Sequence, residues 1–231
     1  MTPKSLLELR DVRFAWQAGQ PTVIALDAFS LAQGERVFLY GPSGSGKSTL
    51  LALIAGLARP DRGSIALAGS RLETLSGPAR DRLRADHVGV IFQQFNLLPW
   101  LDVIGNVILP CRFSRNRAER AGDVHKAACR LLEAMDLEPG LWSRKAGALS
   151  VGQQQRAAAA RALIGAPELV LADEPTSALD ADRRDAFLDL LFEQVDSAGA
   201  TMLFVSHDQA LADRFDRRVS LPEVNAAAEP A

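Results

Sequence analysis

The residues GPSGSGKS at 41–48 match the pattern G-x-x-x-x-G-K-[ST] and follow directly on the apolar run RVFLY at 36–40. This pattern suits phosphate. Gly41, Gly44 and Gly46 allow the backbone to curl, with Pro42, Ser43 and Ser45 between them, so that successive amides turn toward phosphate oxygens. A helix starting at Lys47 adds the positive end of its dipole. The Lys47 ammonium is the expected partner of the β- and γ-phosphates, and the Ser48 hydroxyl the expected ligand of Mg²⁺.

A second group of polar residues ends another apolar run. ELVLADE at 168–174 carries Asp173 to the carboxyl end of a strand, where open α/β sheets bind ligands, and so toward the same Mg²⁺. Glu174 follows on the opposite face of the strand and is placed to orient or deprotonate an attacking water. A base beside a metal ligand points to hydrolysis, although a pair of solvated acids at a strand end is the plainer alternative. His207 closes a third such run, TMLFVSHD at 201–208. Alone it reads as a satisfied polar group as readily as a catalytic one.

LSVGQQQR at 149–156 precedes the alanine-rich stretch RAAAARALI, with Gly165 and Pro167 beyond it. Ser150 and Gln153 have the spacing of a capping box, so this segment predicts the start of a helix that ends near Gly165.

The remaining elements must hold these groups in place. LLELRDVRFAW at 6–16 and TVIALDAFSLA at 22–32 read as antiparallel strands, RVFLY as a strand buried on both faces, and the segment from Lys47 to about Gly56 as a helix. ARPDRG at 58–63 is turn chemistry leading into the strand SIALAG. RNRAERAGDVHKAACRLLEAMDL at 115–137 predicts one amphipathic helix with Val124, Ala127, Ala128, Leu131 and Met135 on its buried stripe. The tail VNAAAEPA at 224–231 is expected to be disordered. Among the 231 residues 48% are apolar and the net charge is −2, so one α/β domain is expected and no basic field for nucleic acid. The longest apolar run, LLALIAGLA at 50–58, is too short for a membrane span, and MTPKSLLELR lacks the apolar centre of a secretory signal. A cytoplasmic chain follows, with Cys111 and Cys129 reduced and mostly buried.

Taken in order, these motifs resemble the ATP-binding subunits of ABC transporters. GPSGSGKST at 41–49, which adds Thr49, is similar to the family's Walker A; VLADEP at 170–175 to Walker B with its catalytic glutamate; SALD at 177–180 to the D-loop; His207 to the switch histidine. Gln93 in VIFQQF resembles the glutamine that links the nucleotide and its metal to the membrane partner, and LSVGQ at 149–153 resembles the family signature. The resemblance implies a P-loop NTPase core of RecA-like type, an N-terminal antiparallel β region and an inserted helical subdomain at about 94–152. ATP and Mg²⁺ are the implied cofactors, with Lys47, Glu174 and His207 catalytic and Ser48, Gln93 and Asp173 at the metal.

The resemblance also implies partners: a second copy of the chain, and an integral membrane permease that keeps the protein on the cytoplasmic face of the inner membrane. Each ATP would lie between the phosphate loop of one copy and Ser150, Gly152 and Gln153 of the other. Val151 departs from the family's LSGGQ but keeps its amide, which suffices unless the backbone there needs positive φ. Trp16 stands where the family places an adenine-stacking tyrosine, with Phe14 as a competing candidate. FQQFNLLPWLDVIGNVILP at 92–110 is similar to the exporter branch that includes lipoprotein-release, macrolide-efflux and glycolipid-exporter ATPases, with Gly105 in place of a common glutamate. Phe95, Leu97, Leu98, Trp100 and Leu101 read either as core or as a groove for a permease helix. An ABC ATPase that signals mechanically through a membrane partner, as in cell division, stands as the alternative function.

Overall fold

The computed structural model describes residues 5–177 and 179–228. Its strands are β1 (Ser5–Phe14), β2 (Ile24–Ala32), β3 (Arg36–Tyr40), β4 (Arg62–Leu67), β5 (Ser70–Arg71), β6 (Val88–Ile91), β7 (Leu169–Asp173), β8 (Thr201–Val205) and β9 (Arg217–Ser220). Its helices are α1 (Lys47–Ile54), α2 (Gly77–His87), α3 (Val103–Phe113), α4 (Arg115–Ala121), α5 (Val124–Ala134), α6 (Val151–Leu163), α7 (Ala181–Ser197) and the single turn α8 (Leu221–Val224). They form two units, one reaching to Arg84 and resuming at Thr201, the other running from Ala85 to Ala200.

In the first unit, β1 pairs antiparallel with both β2 and β4, and β5 follows β4 at the edge. Leu7 and Leu9 of β1 point into the core, and so do Val12 and Phe14. Strict alternation would bury every second residue, so the phase shifts once; the shift lies at Asp11, whose φ is 51°, where the β1–β4 register slips. The same unit holds β3 between β8 and β9, all parallel. Val37, Phe38 and Leu39 have no exposed surface, as a strand covered on both faces requires.

In the second unit, β6 and β7 pair in parallel, α6 packs on β6, and α3, α5 and α7 pack on α6. Ala157 to Ala160 of α6 are all buried, because only a small side chain lets neighbouring backbones approach so closely.

Three expectations are corrected. The segment 115–137 forms two helices, since Gly122 takes φ 66° after α4 and Asp123 caps α5 by accepting from the Lys126 amide. Its stripe buries Ala127, Ala128, Leu132 and Met135, while Val124 and Leu131 are half-buried. The tail is ordered as far as it is described. Val224 ends α8, Asn225 is buried, and Ala226–Ala228 form a 3-10 turn, because the Asn225 amide finds backbone partners; residues 229–231 lie outside the described residues. Cys111 and Cys129 are free but only half-buried.

Candidate nucleotide-binding site

The phosphate-loop candidate spans the interval between β3 and α1. Ser45 N donates to Pro42 O at 3.2 Å, and Leu50 N donates to Gly46 O at 2.8 Å, the first bond of the helix. Gly46 has φ 100°, and a Cβ there would stand 2.9 Å from Ile24 Cδ1 and 3.2 Å from Val23 O. Both the left-handed backbone and the close approach require glycine. Lys47 Nζ donates to the carbonyls of Gly41 at 2.8 Å and Pro42 at 3.0 Å, which folds the ammonium back over the loop. Ser43 and Ser48 are exposed, Thr49 is buried, and the buried Ser45 Oγ has no hydrogen-bond partner among the described residues.

Strand register brings a second group to the same end of this unit. Leu39 of β3 pairs with Val205 of β8, so Gly41 and His207 leave the sheet in the same direction. His207 is exposed there. Near the start of β2, Trp16 is 57% exposed whereas Phe14 is 6% exposed. Their rings meet edge to face at 5.1 Å, so Phe14 supports Trp16 and only Trp16 offers a face to a ligand.

In the second unit, Ile91 of β6 pairs with Ala172 of β7, which sends Gln93, Asp173 and Glu174 off the same end. Gln93 is exposed; Asp173 and Glu174 are half-buried. Glu174 holds φ 46°, an uncommon conformation for a side chain of that size and one that concentrates at functional sites. Phe95 and Asn96 after Gln93 also have positive φ, 56° and 50°. Arg161 of α6 holds this turn by donating to Asn96 O at 2.6 Å. Asn106 fixes the next stretch: its Oδ1 accepts from Leu98 N at 2.7 Å and its Nδ2 donates to Leu98 O at 3.0 Å. Neither role was legible in the sequence, where Arg161 reads as an ordinary helix charge. Phe95 is buried, Leu97, Leu98 and Leu101 are half-buried, and Trp100 is 65% exposed, so the apolar run divides between core and surface.

LSVGQ opens α6. Both halves of the capping box form: Ser150 N donates to Gln153 Oε1 at 2.9 Å, and Gln153 N donates to Ser150 Oγ at 3.4 Å. Val151 is the first helical residue, so its amide needs no positive φ, and its side chain is 51% exposed. A Cβ on Gly152 would meet nothing within 4 Å. Ser150, Val151, Gly152 and Gln153 line a cavity of about 680 Å³ together with Arg156 and Arg183. Of SALD, Ala178 lies outside the described residues, while Asp180 caps α7 by accepting from Arg183 N at 3.0 Å.

The sequence model of the ABC transporter family matches residues 27–177, more than half of the chain. The chain belongs to the ABC transporter family. This cassette is 45% identical over 217 residues to the lipoprotein-releasing system ATP-binding protein LolD of Anaeromyxobacter dehalogenans, covering 93% of the chain and 90% of that relative. It is 39% identical to the uncharacterized ABC transporter ATP-binding protein YbbA of Escherichia coli K12, covering 96% of each. Among solved structures, the ATP-binding cassette MJ0796, described as a dimer in a post-hydrolysis state bound to ADP and Pi, superposes with a TM-score of 0.82 at 33% identity over 93% of each chain; MJ0796 comes from Methanocaldococcus jannaschii. The cassette thus has the P-loop α/β fold with an antiparallel β region, as its motifs imply, and it is an ATPase subunit of ABC transporter type. No helix among the described residues is long and apolar enough to cross a membrane.

Proposed function

We propose that two copies of this cassette close on two ATP molecules and that the closure drives a membrane permease exporting lipidated or hydrophobic cargo. The observation that carries the reading is the presence in one chain of two helix starts: α1 behind a glycine loop that ends in Lys47, and α6 opening on an uncrowded Gly152 beside a cavity. Each is an anion site in physical terms. The first would hold the phosphates of its own nucleotide through loop amides and Lys47. The second would meet the γ-phosphate of the partner's nucleotide through Ser150 and the Gly152 amide, with Gln153 holding the cap. Trp16 would stack on the adenine.

The donors available fit Mg²⁺. A hydroxyl, a carboxylate and a carboxamide offer the oxygen donors that a hard cation takes beside phosphate and water. Ser48, Asp173 and Gln93 would supply oxygens, and the ion would neutralise charge between the β- and γ-phosphates. Glu174 would accept a proton from the attacking water, and His207 would orient the γ-phosphate end of the site. Membrane attachment on the cytoplasmic face would come through the permease, with Trp100 and its half-buried neighbours as the contact. The kinship with a lipoprotein-releasing ATPase supports the cargo class. The test is ATP turnover of the cassette purified with the permease encoded beside it, in lipid, with and without lipoprotein. Stimulation by lipoprotein is expected; turnover indifferent to any lipidated or hydrophobic compound would overturn the cargo assignment.

A further inference from the structure

The C-terminal segment reaches back to the phosphate loop, where Asn225 supplies a side-chain hydrogen bond. Asn225 is 1% exposed. Its Oδ1 accepts from Ala25 N at 2.7 Å, and its Nδ2 donates to Val23 O at 3.0 Å and to Ser45 O at 3.3 Å. Its backbone bridges Leu26, and its own amide donates to Leu221 O at 2.8 Å, so α8 fixes its position. Pro222 of the same turn has its Cδ 3.1 Å from where a Cβ on Gly41 would stand. The phosphate loop is therefore approached at Gly41 by Pro222 and held at Ser45 by Asn225, 180 positions downstream.

We propose that Asn225 is a positioning residue for nucleotide binding: by holding the Ser45 carbonyl it sets the peptide plane that aims the Gly46 N–H at bound phosphate. In a trans peptide the C=O and N–H point to opposite sides, and the described chain contains no cis bond. Asn225, Val23 and Ile24 occupy one side of the Ser45–Gly46 segment. The Gly46 N–H is thereby turned to the other side, into the concave face of the loop. Glycine at 46 has no side chain of its own to hold this plane, so the bond from Asn225 adds a directional restraint to the packing of Ile24 and Val23. An amide held in advance in the direction of the phosphate does not lose that freedom on binding. The inference rests on the reading of residues 41–48 as the phosphate site and adds to it a specific restraint from outside the motif.

Nitrogen-labelled full-length chain titrated with ADP and Mg²⁺ tests it. In the wild type, ADP should shift the Asn225 side-chain amide resonances and slow their hydrogen exchange, because coupling between the brace and the ligand is reciprocal. Asn225→Ala and the isosteric Asn225→Asp, which keeps the acceptor and loses both donors, should each raise the Kd for ADP about tenfold, the worth of one well-placed hydrogen bond. The ADP-induced shift of the Gly46 amide should shrink in both, and KM for ATP should rise more than kcat falls. Lower melting temperatures with unchanged Kd and an unchanged Gly46 shift would make Asn225 a brace of the fold only and overturn the proposal. So would a wild-type Asn225 amide that ADP leaves untouched, a result that needs no variant to fold. Lys47→Ala run in parallel separates the two levels: if it leaves ADP affinity intact, the phosphate-loop reading itself fails.

Discussion

Ile91 and Ala172 are register partners on the parallel strands β6 and β7, and this pairing sends Gln93 and Asp173 off the same strand ends. The sequence separates these two residues by 80 positions, and the ladder brings them to one edge. Beyond that edge Glu174 adopts φ 46°, which turns its side chain out of the strand's alternation. Asp173, the proposed metal ligand, thus ends the strand, and Glu174, the proposed base, stands just outside it.

Replacing Glu174 by Gln should therefore leave ATP affinity within about twofold, because shape and metal donors remain. Hydrolysis should fall by about 10²–10⁴-fold, the usual contribution of a positioned base. Single-turnover hydrolysis set beside equilibrium nucleotide binding measures both, and equal losses in the two would contradict the assignment.

Lys47→Ala removes the only side-chain cation of the 41–48 loop. Its two bonds to Gly41 O and Pro42 O also go, so the loop loses a restraint as well as a charge. A charge-assisted contact of about 1.5–3 kcal/mol predicts ATP binding weaker by about 10–100-fold. Isothermal titration with ATP and Mg²⁺ checks this, and undiminished affinity would remove Lys47 from the site.

Arg117 offers a test of the fold independent of nucleotide. It is 2% exposed, and its guanidinium donates to the carbonyls of Ile164, Ala162 and Val88. Burial pushes its pKa down to about 10, yet it stays charged at neutral pH. Arg117→Met leaves the carbonyls of Ala162 and Ile164 at the end of α6, and of Val88 at the start of β6, without this donor, and a loss of about 3 kcal/mol is expected. Urea unfolding of variant and wild type measures it; a difference below about 1 kcal/mol would show that water or rearrangement replaces those bonds.

Much of this architecture is written locally. RVFLY occupies β3 from Arg36 to Tyr40 because four consecutive apolar and aromatic residues ending on glycine admit little else, and the spacing of Ser150 and Gln153 sets the start of α6. Other features depend on distant partners. The expected single helix misses the break at Gly122 because it extends the apolar stripe from Val124 to Met135 back over 115–121, although Gly122 and Asp123 carry the stop and start signals side by side. Asn225 sits in a polar, alanine-rich tail, and its side-chain contacts to Val23, Ala25 and Ser45, made with residues 180–202 positions away, help keep that segment on the fold. Phe14 and Trp16 have the same strand parity, and what separates them is that β1 ends at Phe14. Gly105, which departs from the family, lies where a Cβ would stand 2.6 Å from the Asp102 carboxylate that caps α3.

Val151→Gly should change ATP turnover by less than about twofold, since the helix begins at this position and the contact proposed there uses the neighbouring amide and hydroxyl. Steady-state ATPase assays compare the two, and a large gain would mean that the exposed isopropyl group obstructs the partner.

Mixing two inactive chains tests the two-copy site most directly. Gly152→Asp suits the purpose because its Cβ meets nothing within 4 Å and an acidic side chain is favoured in the first turn of a helix, so α6 should keep its structure. What it adds, in the proposed two-copy site, is a negative charge that would face the partner's γ-phosphate. Lys47→Ala and Gly152→Asp should each be inactive alone, with the second still binding ATP as a monomer. Their heterodimer contains one composite site with both halves intact, so the mixture should form a nucleotide-dependent heterodimer and recover ATP hydrolysis. A Gly152→Asp homodimer that turns over ATP at the wild-type rate, or a mixture with neither heterodimer nor hydrolysis, would contradict the placement of LSVGQ on the other copy's nucleotide.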